Sequence, residues 1–218
     1  MLVAISQRND KNRHGDWIDS LENSYVHYLE RLGARLLVIP NRSNDVRSYI
    51  KEFPVKAIIL SGGNDIGTEL YSSGQGEKEE ESQAISKSRD STEKKMLEIA
   101  IDKKIPVLGI CRGMQFINVF FKGRLSKIDN HVIPEHNITM GPDKFKVNSF
   151  HNYGITKDDL SHELRSFAVS DDGIIEGICH PSLPVAGIQW HPERKSPDES
   201  INEQIVRAFI EKEMFWRR

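Results

Sequence analysis

Cys111 stands between two glycines, Gly109 and Gly113, in Ile105-Pro106-Val107-Leu108-Gly109-Ile110-Cys111-Arg112-Gly113-Met114-Gln115. The apolar run before it reads as a buried strand, and the residues after it read as a helix. This is the spacing of a nucleophile elbow, a strand-to-helix turn so tight that a Cβ at the flanking positions would meet neighbouring backbone. Such a turn lifts the sulfur above the carboxyl end of a sheet, and the helix N-terminus favours thiolate over thiol. A cysteine at a strand end is ordinarily a small buried hydrophobe. That reading suits Cys179, in an apolar strand, but not Cys111 with its glycines.

A cysteine nucleophile at neutral pH needs a base or a lowered pKa. Of the eight histidines, His191 follows the apolar run Val185 to Gln189 and precedes an acid by two residues, in Gln189-Trp190-His191-Pro192-Glu193. Alternate residues of an extended segment share a side, and Pro192 biases His191 towards extended backbone. Glu193 can therefore accept a ring N–H and hold the imidazole. The oxyanion of an acyl-transfer intermediate needs two donors. The backbone N–H of Arg112 is one candidate. The N–H of Gly63, in the turn Leu60-Ser61-Gly62-Gly63, is the other.

The elements that must carry these groups alternate. Strands are expected over Leu2 to Ile5, Arg35 to Ile39, Ala57 to Leu60 and Val107 to Ile110. Helices are expected over Ile18 to Leu32, Asp45 to Phe53, Thr92 to Asp102 and Gln115 to Phe121. The order argues for an α/β fold, a mostly parallel central sheet with helices on both faces. The C-terminal half reads as a few short strands (Phe145 to Asn148, Gly173 to Cys179, Val185 to Gln189) closed by a helix from Ser200 to Phe215. Residues 1–218 read as one domain. Ser72 to Ser88 is polar and reads as a solvated loop, with a mobile lid as the sharper alternative.

Composition narrows the classes. Thirty basic and 32 acidic residues give a formal charge of -2, which points to neither nucleic acid nor an anionic membrane. No apolar run approaches the ~20 residues of a membrane span, and the apolar N-terminus is too short for a signal peptide. Two cysteines make no disulfide framework, so a reducing cytoplasm is expected. No cofactor and no metal site is expected, and the sequence is silent on oligomeric state.

The segments around Cys111, Gly62-Gly63 and His191 together resemble the three signatures of class I glutamine amidotransferase domains. Gly62-Gly63-Asn64-Asp65 with Tyr71, Arg89-Asp90 with Glu93, Asn118-Val119 and Asn148-Ser149-Phe150-His151 are most similar to the γ-glutamyl hydrolase branch, of peptidase C26 type. One departure is Ile66-Gly67-Thr68-Glu69-Leu70, where the branch usually carries a proline between the aspartate and the tyrosine. The resemblance implies a glutamine amidotransferase-like fold and hydrolysis of a γ-glutamyl amide through Cys111, His191 and Glu193. It also implies substrate contacts from Gln115 and from Asn152, Gly154 and Ile155, with Arg89 and Asp90 near the site. Closer similarity is to hydrolases of γ-glutamyl nucleotide amides that serve capsular phosphoramidate synthesis. Cations at Arg8, Lys11, Arg13, Arg89, Arg194 and Lys195, on loops at the same sheet end, fit an anionic leaving group. The alternatives are a general γ-glutamyl-amine hydrolase, a glutaminase subunit feeding ammonia to a separate synthetase, and a non-catalytic binding protein.

Overall fold

A computed structural model describes residues 1–71 and 86–212. Most of the polar stretch read as a loop or lid, and the end of the last expected helix, lie outside the described residues. The first half runs β1 (Leu2–Ile5), β2 (Arg8–Lys11), β3 (Trp17–Ser20), α1 (Asn23–Arg31), β4 (Arg35–Val38), α2 (Val46–Glu52), β5 (Val55–Leu60), α3 (Lys87–Lys103), β6 (Val107–Ile110) and α4 (Arg112–Phe120). The second half runs β7 (Ser126–Lys127), β8 (Val132–Met140), β9 (Asp143–Phe150), β10 (Tyr153–Gly154), β11 (Arg165–Ser170), β12 (Ile175–Cys179), β13 (Val185–Ile188) and α5 (Glu199–Glu211).

Nine strands form one sheet in the order β4-β1-β5-β6-β13-β12-β11-β8-β9. The first five are parallel, and every pairing from β13 outward to β9 is antiparallel. The parallel strands are short, apolar and buried, as strands covered on both faces must be. Tyr25, Leu29, Ile201, Ile205 and Phe209 of α1 and α5 pack on one face. Ile50, Met96, Leu97, Met114 and Ile117 of α2, α3 and α4 pack on the other. Among the described residues no helix is long and apolar enough to cross a membrane.

The expected strands of the parallel half are present within two residues, while three other expectations need correction. The helix expected from Ile18 begins only at Asn23, because Trp17–Ser20 pairs antiparallel with Arg8–Lys11. Asp19 holds that hairpin, accepting from Asn9 Nδ2 and from the backbone and side chain of Asn41. Ile18 shares a helical spacing with Leu21 and Tyr25 by coincidence and lies exposed. The helix expected from Thr92 begins five residues earlier, where Ser86 Oγ caps Arg89 N–H. Its first two turns bury charged residues, which an apolar-stripe reading passes over. The antiparallel part is larger than a few short strands, since β8 and β9 form a long hairpin.

Candidate active site

The ends of β5, β6 and β13 meet at one edge, and each delivers one part of the site. Close packing of glycines makes this possible. A Cβ at Gly113 would lie 2.1 Å from the Leu60 carbonyl oxygen, one at Gly109 2.5 Å from the Gly113 backbone, and one at Gly187 2.8 Å from Met114. The N-terminus of α4 is thereby pressed onto all three strands.

Cys111 joins β6 to α4 with φ 53° and ψ -109°. A non-glycine residue in that region costs on the order of 1–3 kcal/mol and persists only where its surroundings fix it. Here Cys111 N–H donates to the Ile188 carbonyl at 2.8 Å, and Gln115 N–H donates to the Cys111 carbonyl at 3.2 Å. Beside the sulfur, Gln189 Nε2 lies 3.6 Å from Sγ.

His191 is fixed at both ends. Asn148 Oδ1 accepts its N–H at 2.9 Å, and Asn148 Nδ2 donates to its carbonyl at 2.8 Å. Its ring Nδ1 lies 2.6 Å from Glu193 Oε1, so the two-residue spacing does place the pair in contact. Burial pushes the His191 pKa down. The negative sulfur of Cys111 and the carboxylate of Glu193 push it up by more, to about 10. The ring is therefore a buried imidazolium at neutral pH. Trp190 between strand and histidine donates Nε1–H to Asn202 of α5 at 2.7 Å, which anchors the segment from behind.

The glycine turn after β5 packs against this ring. A Cβ at Gly62 would lie 2.7 Å from His191 Cε1. Gly62 N–H donates to the Tyr25 hydroxyl at 2.9 Å, while the N–H of Gly63, at φ 82°, donates to no partner among the described residues. Arg89 shapes the same turn from beneath. Its Nη1 donates to the carbonyls of Gly62 (2.9 Å) and Gly63 (3.1 Å) and to Asn64 Oδ1 (3.1 Å). Its Nη2 donates to the Ser61 carbonyl at 2.6 Å, and its Nε to Glu93 Oε1 at 2.9 Å. Glu93 and Asp90 in turn bind the guanidinium of Arg112. Arg89 is fully buried with its donors all engaged, so it is a positioning residue and not a substrate contact. Asp90 likewise faces Arg112 and the Gly67 N–H.

Gln115 Nε2 donates to the Tyr153 carbonyl at 2.7 Å and approaches Gln189 Oε1 at 3.3 Å, which links the elbow to the Asn152–Ile155 segment. Asn152 is exposed, whereas Gly154 and Ile155 are buried. The cationic rim is weaker than its residue count implies. Arg8 pairs with Asp10 at 3.1 Å, Arg194 with Glu22 at 2.7 Å, and Lys11 lies over the Trp17 ring. Sequence reasoning missed Tyr25, read only as an apolar helix position, and Gln189, whose side chain points at the sulfur.

A cavity of about 640 Å³ lies next to the histidine, lined by Val132, Ile133, Glu135, Phe150, Lys195 and Ser196. Phe150 stands edge-on to the His191 ring with centroids 6.1 Å apart and is itself half-exposed.

Comparison with known proteins agrees with this architecture. The chain is 40% identical over 163 residues to the γ-glutamyl-CDP-amidate hydrolase of Campylobacter jejuni, covering 75% of this chain and 73% of that one. It is 31% identical to the glutamine-hydrolyzing chain of GMP synthase from Pyrococcus furiosus, covering 85% of this chain and 91% of that one. Among solved structures, a glutamine amidotransferase of Thermotoga maritima shares the fold with a TM-score of 0.58 at 17% identity, covering 97% and 84%. The peptidase C26 family model matches residues 2–139 and 130–193. The chain belongs to the peptidase C26 family.

Proposed function

We propose that the chain is a cysteine hydrolase that cleaves a γ-glutamyl amide, with Cys111 as nucleophile, His191 as proton carrier and Glu193 as its orienter. The observation that carries this reading is the His191 imidazolium, held between Glu193 and the sulfur of a strained elbow. The Cys111 thiolate attacks the γ-carbonyl carbon. The oxyanion that forms is met by the N–H groups of Arg112 and Gly63, because Tyr25 already occupies that of Gly62. The C–N bond breaks as His191 gives its proton to the departing nitrogen. Water then attacks the thioester and gives its proton to His191, which releases glutamate and restores the thiolate.

For the leaving half, the similarity to the C. jejuni γ-glutamyl-CDP-amidate hydrolase supports a γ-glutamyl nucleotide amide. The cavity beside His191 fits such a group, with Phe150 as a stacking face and Lys195 as a cation. The test is kcat/KM for a γ-glutamyl nucleotide amide, for glutamine and for γ-glutamyl-γ-aminobutyrate, each at low and high salt. Preference for the nucleotide amide, weakened by salt, is expected. A preference for glutamine, with ammonia released faster on adding a synthetase, would identify a glutaminase subunit instead. No turnover of any γ-glutamyl amide by folded protein would leave a binding role.

A further inference from the structure

Outside the catalytic residues, a second cluster of side chains converges on Glu176, a fully buried carboxylate in the middle of the sheet. His131 Nδ1 lies 3.6 Å from Glu176 Oε1, His136 Nε2 lies 3.5 Å from Glu176 Oε2, and His151 Nε2 lies 3.6 Å from Glu176 Oε1. His131, His136 and Glu176 offer ligand atoms that all lie within 4.8 Å of one another. These five buried atoms, three nitrogens and two oxygens, have no hydrogen-bond partner among the described residues. Buried polar atoms are nearly always satisfied, so five unsatisfied at one point require an explanation.

The outer ring nitrogens supply it. His151 Nδ1 lies 3.0 Å from the Tyr153 carbonyl, which can only accept, so Nδ1 carries the hydrogen and a neutral ring turns the Nε2 lone pair towards Glu176. His131 Nε2 lies 2.9 Å from Asp172 Oδ2, which turns its Nδ1 inward in the same way. Imidazole lone pairs and a carboxylate then face one another beyond the usual hydrogen-bond length, an arrangement that a cation between them would stabilise. The gaps also fit. Zinc bonds of ~2.0–2.1 Å in a tetrahedron separate neighbouring ligand atoms by about 3.3–3.4 Å.

We propose that His131, His136, His151 and Glu176 bind a divalent transition-metal ion, zinc by ligand type, which ties the antiparallel half of the sheet to the loop beside the catalytic cysteine. Three imidazoles and one carboxylate fill a tetrahedral shell, which is the mark of a structural site. A cavity of about 290 Å³ that includes His131, His136 and Asp172 leads to it from the surface. The link to the active site is short. The Tyr153 carbonyl that orients His151 also accepts Gln115 Nε2 at 2.7 Å.

The test is metal content by mass spectrometry of the purified chain, then calorimetric titration of EDTA-treated protein with zinc chloride. About one zinc per chain is expected in the wild type and in Cys111→Ala. His136→Ala and Glu176→Gln should lower the content at least tenfold. Asp172, 59% exposed, can be changed with little risk to folding, and Asp172→Ala should weaken zinc affinity roughly 10–100-fold. Cobalt reconstitution should give four-coordinate visible bands without thiolate charge transfer. Folded wild-type protein that takes up no stoichiometric zinc and melts at the same temperature with or without it would overturn the proposal. So would zinc that is lost in Cys111→Ala but retained in Glu176→Gln.

Discussion

His191 carries a positive charge in a place where burial opposes it, and two anions on either side hold that charge. The pairing makes the ring an acid already loaded for the departing nitrogen, and it makes the protonation state of His191 depend on Cys111. A nitrogen-resolved magnetic resonance titration should therefore show an imidazolium at neutral pH that loses its proton near 10. In Cys111→Ala the same signal should titrate at lower pH, because one of the two anions is gone. An unchanged titration would mean that the sulfur does not support the charge. Glu193→Gln should reduce kcat less than His191→Ala, since the ring remains and only its placement suffers. Gly62 makes a sharper steric demand than either. Its missing Cβ leaves 2.7 Å to His191 Cε1, so Gly62→Ala must push the ring aside. A displacement of that order costs about 10²-fold in rate, and kcat should fall with the fold intact by circular dichroism.

At the scale of elements, the glycine turn is held less by its own sequence than by α3 beneath it. Arg89 binds the carbonyls of Ser61, Gly62 and Gly63, and Glu93 anchors Arg89 while also accepting from Ser6 at 2.7 Å. Breaking a buried pair from one side leaves the other charge uncompensated, at roughly 3–5 kcal/mol. Arg89→Met should lower stability by that order and lower kcat more than it raises KM, because the turn that presents Gly63 loses its support. Denaturant unfolding together with steady-state kinetics checks both, and a pure KM effect would return Arg89 to the role of substrate contact. The local patterns of the parallel half were legible because buried strands are continuous apolar runs and the elbow spacing is geometric. The start of α3 was not, since its buried face is ionic. Nor was the β2–β3 hairpin, whose pairing is fixed by the distant Asn41. His131, His136, His151 and Glu176 span 46 positions with no ligand spacing, so only the long β8–β9 hairpin and its neighbours could assemble them. Two-residue spacing did reveal His191 and Glu193, because extended backbone needs no tertiary information to put both on one side.

Across the whole molecule, the two charged networks lean on stability from opposite ends of the pH scale. Glu93 is opposed by burial, yet Arg112, Arg89 and Ser6 together hold its pKa below the ordinary 4.5. A depressed carboxylate contributes stability above its unfolded pKa and loses it as pH falls through the folded one. Asp90 works the other way, since burial raises its pKa despite Arg112, and this softens the acid limb. His191 has a folded pKa of about 10 against an ordinary 6.5, so its contribution is complete below 6.5 and is lost as pH rises through 10. The melting temperature should accordingly be highest between about 4.5 and 6.5 as far as these groups set it, and should decline on both sides. Two variants assign the limbs. Cys111→Ala removes an anion that holds the His191 charge, so the alkaline decline should become shallower. Glu93→Gln cannot titrate, so the acid decline should become shallower while the plateau drops. Melting curves by circular dichroism at half-unit pH steps measure both. An alkaline slope unchanged in Cys111→Ala would show that the catalytic ion pair does not contribute to stability.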